Sequence, residues 1–347
     1  MKRLLWIAAL ALSLTPISTP ATAAGEGKVK ELFTSDTPLQ ITIDGPIKKI
    51  ASKAKYSTDI YDGTLTVNGQ TLPIKLQARG LSRRTGYGCQ FPPLRVIFPD
   101  KPPADSVFKG QEKLKLVAHC RNQDKYEQIE LREYVAYKLF NVLTDKSFKV
   151  RQARVTYLND GKEWQQRWGF FIEDTDDMAH RIGGKEVHVA RISPRALVPE
   201  DGARTALFQY MVANFDWEFL AGPKGTDCCH NAKLVSEGGD PGNPITPVPY
   251  DFDYTGLVNP PYAVVPPQFP VNGPQDRYYW GVCVENDEVL KLAPEFAAAR
   301  PAMEKAISEV QGLDPKTQQD ILKFLGGFWD DISSPEEIQK KILRSCR

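Results

Sequence analysis

Apolar and polar residues alternate through much of the first half of the chain, a pattern that predicts β-strands. Residues 63–78 alternate on both sides of Asn68-Gly69, a dipeptide typical of the two-residue turn of a β-hairpin. Residues 126–143 instead place apolar side chains at helical spacing, so one helix is predicted among the strands. Further strands are predicted at 93–98, 113–118, 150–158 and 167–173, the last two joined by a turn at Asn159-Asp160-Gly161.

The pattern changes near residue 175, and helical spacing dominates the second half. A short strand near 231–236 interrupts this half, and residues 257–274, with six Pro, are predicted to form an ordered, extended loop. Helices are predicted at 203–214, at 287–311 with interruptions near Pro294 and Pro301, from Asp314-Pro315 to Gly326-Gly327, and from a capping box at Ser334-Pro335-Glu336-Glu337. The two halves predict an α+β fold with a strand-rich part, residues 24–175, and a helical part, residues 176–347.

The first 23 residues have the arrangement of a secretory signal peptide. Lys2 and Arg3 precede an apolar run of 11 residues at 4–14, and Ala21-Thr22-Ala23 offers small residues for cleavage. The run is too short to span a bilayer, and no longer apolar run follows. We therefore predict an exported protein, periplasmic or extracellular, with no membrane span. A buried N-terminal helix is the alternative.

Composition and charge exclude one class of partner. The 347 residues contain 44 Lys and Arg against 43 Asp and Glu, a formal net charge of +1. Without Lys2 and Arg3 the counts are 42 and 43, a net charge of −1. Binding to nucleic acid needs a basic excess that neutralises phosphates, so no nucleic-acid partner is predicted. Hydrophobic residues at 41% and charged residues at 25% indicate an ordinary globular chain.

Six Cys lie in the part of the chain predicted to be exported, where disulfides persist. Cys89 and Cys120 flank one strand-rich stretch and form a plausible local pair. The adjacent Cys228-Cys229 are predicted to bond elsewhere rather than to each other, with Cys283 and Cys346 as the remaining candidates. A metal site built from Cys228, Cys229 and His230 is the alternative, although the chain has no Cys-x-x-Cys spacing.

Residues 214–253 carry the candidate chemistry. Asp216 ends a predicted helix, Asn231 begins a predicted β-hairpin, and Asp251 and Asp253 follow the hairpin's second strand. Phosphoryl transfer needs one carboxylate to orient an acceptor hydroxyl, and an amide oxygen and a second carboxylate to hold Mg²⁺ against phosphates. A hairpin returns the chain, so these groups can converge. A lone Asp near a helix end is more often a capping or turn residue, so it is the order of the four polar groups that favours a site.

Four segments of the chain, in this order, resemble the CotH kinase family, atypical kinase-like proteins named from a spore-coat protein. The resemblance covers roughly residues 72–285. It implies a two-lobed, protein-kinase-like fold with a nucleotide site between the lobes. The segments are Ile74–Arg83, Trp168–Glu173, Asn214–Asp216 with His230-Asn231, and Pro249–Asp253.

The resemblance also implies roles for individual residues. Asp216 would be the catalytic carboxylate. Asp251 would bind Mg²⁺ or Mn²⁺, with Asn231 or Asp253 as the second ligand. ATP would be the phosphoryl donor, and an exported protein or small molecule would be the acceptor.

Three further residues are candidates for the nucleotide. Arg79 and Lys115 lie on or just after predicted strands and would contact its phosphates, or else belong to a solvated strand face. Glu173 would lie near the junction of the lobes. Glu130 or Glu133, on the first-half helix, would pair with a basic strand residue as in kinases, the alternative being a solvated helix face.

The chain departs from the family in two places, which keep other functions open. Leu81 replaces the Asn of the family's first turn, and an insertion containing Cys228 and Cys229 separates Asp216 from Asn231. The second hypothesis is a non-catalytic binding or structural protein that keeps the fold, since the periplasm holds little free ATP. The third is a metal-dependent hydrolase of phosphate esters.

Overall fold

Seven strands close into a barrel in the first half of the chain, in the spatial order β1-β2-β3-β4-β5-β7-β6. A computed structural model describes residues 27–347, so the predicted signal peptide at 1–23 lies outside the described residues. All neighbouring strands are antiparallel except β1 and β6, which pair in parallel, with Ile41 opposite Val155. The strands are β1 (Leu39–Gly45), β2 (Ile60–Val67), β3 (Gln70–Ala78), β4 (Leu94–Ile97), β5 (Lys113–Val117), β6 (Val150–Asn159) and β7 (Lys162–Ile172).

Alternation along each strand directs every second side chain into the barrel. Leu65, Leu76 and Phe171 are completely buried there. The predicted hairpin is confirmed: β2 and β3 meet at Asn68-Gly69, both with positive φ, 50° and 76°. The other predicted strands are confirmed as β4 to β7.

Four helices accompany the barrel strands: α1 (Ile47–Lys53), α2 (Ser82–Thr85), α3 (Asp124–Leu143) and α4 (Thr175–Arg181). The longest, α3, is the helix predicted at 126–143. It packs against β7 and joins a second apolar core that extends into the rest of the chain.

The second half is mostly helical. A small antiparallel sheet in the order β10-β9-β8 combines β8 (Lys185–Glu186), β9 (Ala232–Ser236) and β10 (Thr246–Pro249). The α5 helix is buried along nearly its whole length. The helices are α5 (Pro199–Met211), α6 (Asn286–Ser308), α7 (Pro315–Asp331) and α8 (Pro335–Lys341). One of the two hydrogen bonds of the predicted capping box is present: the Glu337 backbone N–H donates to the Ser334 hydroxyl at 3.3 Å.

The breaks predicted in two helices were wrong. The α6 helix continues through Pro294 and Pro301, which lie on its exposed face, while Phe296 and Met303 anchor the opposite face in the core. The α7 helix continues through Gly326-Gly327 to Asp331. In both helices the burial of apolar side chains outweighs the local propensity of Pro or Gly.

The Cys pairing corrects one prediction. Cys89 bonds to Cys120 as predicted, and Cys283 bonds to Cys346. Cys228 and Cys229 bond to each other, contrary to the prediction that each reaches elsewhere. The peptide bond between them is cis, and their Cα atoms are 3.0 Å apart.

The three disulfides test the alternative metal site and the predicted export of the protein. Because both sulfurs of Cys228 and Cys229 are consumed, the alternative metal site with His230 was wrong. Disulfides persist in oxidising compartments, so their presence fits an exported protein. None of the helices between residues 27 and 347 combines the length and apolar character needed to cross a bilayer.

Candidate functional site

A cavity of about 240 Å³ is lined by the barrel and α3 on one side and by segments around β9 and β10 on the other. The chain contributes to it from widely separated positions. Glu173, the seventh site residue predicted from the sequence, does not line it. The six that do are Arg79, Lys115, Asp216, Asn231, Asp251 and Asp253.

One wall of the cavity carries two cations. Arg79 directly follows β3, and its Nε is buried without a hydrogen-bond partner among the described residues. Lys115 lies on β5, with its Nζ 5.2 Å from the centroid of the Tyr250 ring. Neither forms an ion pair in residues 27–347. Burial, helped by the positive charges of Arg79 and Lys233, lowers the pKa of Lys115 to about 8. Two cations without counterions make this wall suited to an anion.

Asp216 lies in the turn after α5 and is held by its neighbours. Its Oδ1 lies 2.6 Å from Nε2 of His230, and the Asn231 amide donates to Oδ2 at 3.0 Å and to the backbone oxygen at 2.6 Å. The Asp216 backbone N–H donates to Oδ1 of Asn214 at 2.8 Å. The hydrogen bond to Asp216 raises the pKa of His230. Sequence reasoning placed Asp216 and Asn231 here but considered His230 only as a ligand of the alternative metal site, not as a partner of Asp216.

Asp251 follows β10 in a left-handed backbone conformation, with φ 62° and ψ 60°. This conformation is uncommon for a non-Gly residue and occurs preferentially at functional sites. The Asp251 backbone N–H donates to the Tyr137 hydroxyl at 2.8 Å, which ties the residue to α3. Its side chain is exposed and makes no ion pair with any described residue. Asp251 therefore offers an uncommitted carboxylate at the cavity.

Arg83, in α2, binds three carboxylates beneath the cavity. Its Nε donates to Asp253 at 2.8 Å, its Nη1 to Glu130 at 2.6 Å, and its Nη2 to Glu133. All four side chains are buried or nearly so. Burial raises the pKa of Glu130 to about 7 and of Asp253 to about 6, because one guanidinium cannot offset three carboxylates. The cluster joins α2, α3 and the segment after β10.

The cluster decides between the two hypotheses for Glu130 and Glu133. The solvated helix face was wrong, since they are 0% and 1% exposed. Their partner is Arg83 of α2, rather than a basic residue on a strand. Arg83 is the central residue that sequence reasoning missed, although it ends the first segment of the family resemblance.

Glu173 lies apart from the cavity, although it follows Ile172, which lines it. Its carboxylate accepts hydrogen bonds from Nε and Nη2 of Arg181, each at 2.9 Å, and from the Lys149 backbone N–H at 3.0 Å. Such a buried, fully paired carboxylate holds α4 against the barrel. The position gives no support to a nucleotide contact by its side chain.

Apolar side chains complete the cavity. Pro93, Val117 and Ile172 line it on the barrel side. Tyr87 forms part of the rim and stacks on Tyr262 of the Pro-rich loop, with ring centroids 4.2 Å apart. The cavity thus combines an apolar wall with unpaired charges and suits a ligand that has a flat apolar group and an anionic group.

The oxygen atoms of the cavity can hold a metal ion only if a bound ligand supplies further oxygen atoms to the ion. No three His, Cys, Asp or Glu side chains in the described part of the chain form a group able to hold a metal. Mg²⁺ is usually bound by one or two carboxylates together with phosphates and waters. Asp251 is uncommitted, Asn231 uses only its amide nitrogen, and Asp253 uses only Oδ2. These oxygen donors fit a cation shared with a phosphate ligand.

The chain matches no protein-family model and no curated protein sequence. The functional assignment therefore depends on the cavity and on the segments that form it.

Proposed function

We propose that this chain is an exported, kinase-like phosphotransferase that binds ATP with Mg²⁺ or Mn²⁺ in this cavity. The acceptor would be an exported protein or small molecule. One observation carries the proposal: six of the seven residues that the family resemblance singles out, from Arg79 to Asp253, line a single cavity. The barrel with α3 would be the first lobe of a CotH-like fold, and the helical second half the other.

The two walls of the cavity would bind different parts of the nucleotide. The apolar side chains of Pro93, Val117 and Ile172 suit a base. Arg79 and Lys115, which lack counterions in the described structure, suit the phosphates. Mg²⁺, when bound by Asp251 with Asn231 or Asp253, would offset phosphate charge.

Asp216 would act on the acceptor. In the transfer, the acceptor oxygen forms a bond to the γ-phosphorus as the bond to the β,γ-bridging oxygen breaks, and the hydroxyl proton passes to the Asp216 carboxylate. The hydrogen bonds from His230 and Asn231 fix the orientation of that carboxylate. Positioning of this kind, with charge stabilisation, supplies most of the catalysis in phosphoryl transfer.

Affinity for MgATP is expected to fall as pH rises, which tests the proposed binding site. The pKa of Lys115 is about 8 in the folded protein, so its attraction for phosphates is present below pH 8 and is lost above it. Titration calorimetry should show binding at pH 7 and roughly tenfold weaker binding at pH 9.5. Lys115→Met should weaken binding at pH 7 and flatten the pH dependence. Lys113→Met, on the same strand but outside the cavity, is the matched control. No binding by the folded wild-type chain would overturn the proposal.

A second candidate function is nucleotide or anion binding without transfer. The hydrogen bonding of Asp216 favours it, because both carboxylate oxygens already accept hydrogen bonds from His230 and Asn231. These hydrogen bonds occupy lone pairs that would otherwise receive the proton of an acceptor hydroxyl. The two candidates predict the same binding and differ in turnover.

A further inference from the structure

A second cavity, of about 440 Å³, adjoins the first, and Arg83 lines both. It lies between the end of α1 and the loop that follows α2, and we call it the α1–α2 cavity. Its lining includes Lys55, Arg84, Gly88 and Cys89. None of the residues assigned to the nucleotide or to phosphoryl transfer in the first cavity lines it.

The lining of the α1–α2 cavity is cationic and contains no carboxylate. The charge of Arg83 is offset by its three carboxylates. Lys55 and Arg84 have no ion-pair partner among residues 27–347. Arg84 is held by backbone oxygens: its Nη1 donates to Ala54 at 2.8 Å and its Nε to Gly80 at 3.0 Å. The guanidinium is therefore fixed in place, and its Nη2 has no protein acceptor in the described structure.

The loop beside Arg84 adds further donors. Gly88 has a φ of 65°, and the backbone N–H groups of Gly88 and Cys89 donate no hydrogen bond within the described part of the chain. Arg121 approaches the same loop, with Nη2 3.3 Å from the position that a Cβ on Gly88 would occupy. Its Nε is buried and unpaired among the described residues. A second guanidinium without a counterion in the described structure, after that of Arg84, thus lies beside the Gly88 loop.

We propose that the α1–α2 cavity binds an oxyanion group, a phosphate or sulfate that is free or carried as an ester. A fixed guanidinium, an ammonium group and unpaired backbone N–H groups are the donors that bind tetrahedral oxyanions. Gly88 has no side chain, which lets such a group approach the backbone. The positive charges of Lys55 and Arg84, with no carboxylate in the lining, favour an anionic ligand over a cationic one. This site does not depend on the proposed kinase function.

Titration calorimetry on the full chain tests the proposal with three probes: inorganic phosphate, sulfate and O-phosphoserine. The wild type is expected to bind at least one of them saturably, and Arg84→Gln and Lys55→Gln should each weaken binding about tenfold or more. Lys53→Gln, an exposed α1 residue outside the cavity, is the control and should bind as the wild type does. Tighter binding of O-phosphoserine identifies an ester as the ligand, and equal or weaker binding identifies the free anion.

Two results would overturn the proposal. One is the absence of saturable binding of all three probes. The other is binding that Arg79→Gln abolishes while Arg84→Gln and Lys55→Gln leave it unchanged, since the anion would then lie in the first cavity. The Lys55 side chain is exposed and donates no hydrogen bond within the described part of the chain, so Lys55→Gln keeps the test valid even if Arg84→Gln fails to fold.

Discussion

Asp216→Asn is expected to lower kcat for phosphoryl transfer about 10²- to 10⁴-fold and to leave the Kd for MgATP within about threefold of wild type. The amide has the shape of the carboxylate, so the surrounding turn should persist. It cannot accept the proton of the acceptor hydroxyl, and it loses the charge that orients that hydroxyl. Steady-state transfer rates and calorimetry, measured on the same preparations, separate the two quantities.

Asp227→Asn is the matched control for this variant. Asp227 also pairs with an imidazole, that of His188 at 3.3 Å, but both side chains are well exposed and outside the cavity. Its kcat should equal that of wild type. If Asp216→Asn transfers phosphoryl groups as fast as wild type, Asp216 is not the proton acceptor and the assignment fails. A wild type that binds MgATP without turnover would favour the second candidate function.

Arg83→Met is expected to lower the free energy of unfolding by about 3–5 kcal/mol at pH 7. The substitution keeps much of the side chain's volume but leaves Glu130, Glu133 and Asp253 buried without a cation. It should also detach α3 from the segment after β10, and so weaken MgATP binding. Denaturant unfolding monitored by circular dichroism measures the stability change.

The loss of stability caused by Arg83→Met should depend on pH. Without Arg83 the pKa values of the buried carboxylates rise further above their unfolded values, so their stabilising contribution is present at low pH and lost as pH rises. The difference in unfolding free energy between wild type and Arg83→Met should therefore become smaller as the pH is lowered from 7 to 5. Arg95→Met, at an exposed position on β4, should change stability by less than about 0.5 kcal/mol. Equal stability of Arg83→Met and Arg95→Met at pH 7 would show that the cluster does not stabilise the fold.

Local patterns were sufficient for most strands and helices. The β2–β3 hairpin follows from alternation around Asn68-Gly69, and α3 from its apolar spacing. The closure of the barrel could not be predicted from such local patterns. It needs β1 to pair in parallel with β6, which is more than 100 residues distant in sequence. Residues 39–45 do alternate, with Leu39, Ile41 and Ile43 buried, so the strand itself could have been recognised.

The candidate site was predicted in composition but not in contacts. Sequence order placed Asp216, Asn231 and Asp251 together, and the structure brings them to one cavity. The sequence gives no sign that His230 hydrogen-bonds to Asp216, because the insertion between the two residues has no regular pattern. Glu130 and Glu133 look like a solvated helix face until Arg83, about 50 residues earlier, is seen beside them. Long-range pairing of charges leaves no local signal in a single sequence.

Metal-dependent phosphoryl transfer at this cavity can be tested by following the transfer of label from γ-labelled ATP. The acceptors would be the chain itself and two generic proteins, one acidic and one basic. We expect labelling by wild type with Mg²⁺ or Mn²⁺, no labelling with a chelator, and at least about a 10²-fold lower rate in Asp251→Asn. Labelling that survives chelation, or that Asp251→Asn leaves unchanged, would contradict it.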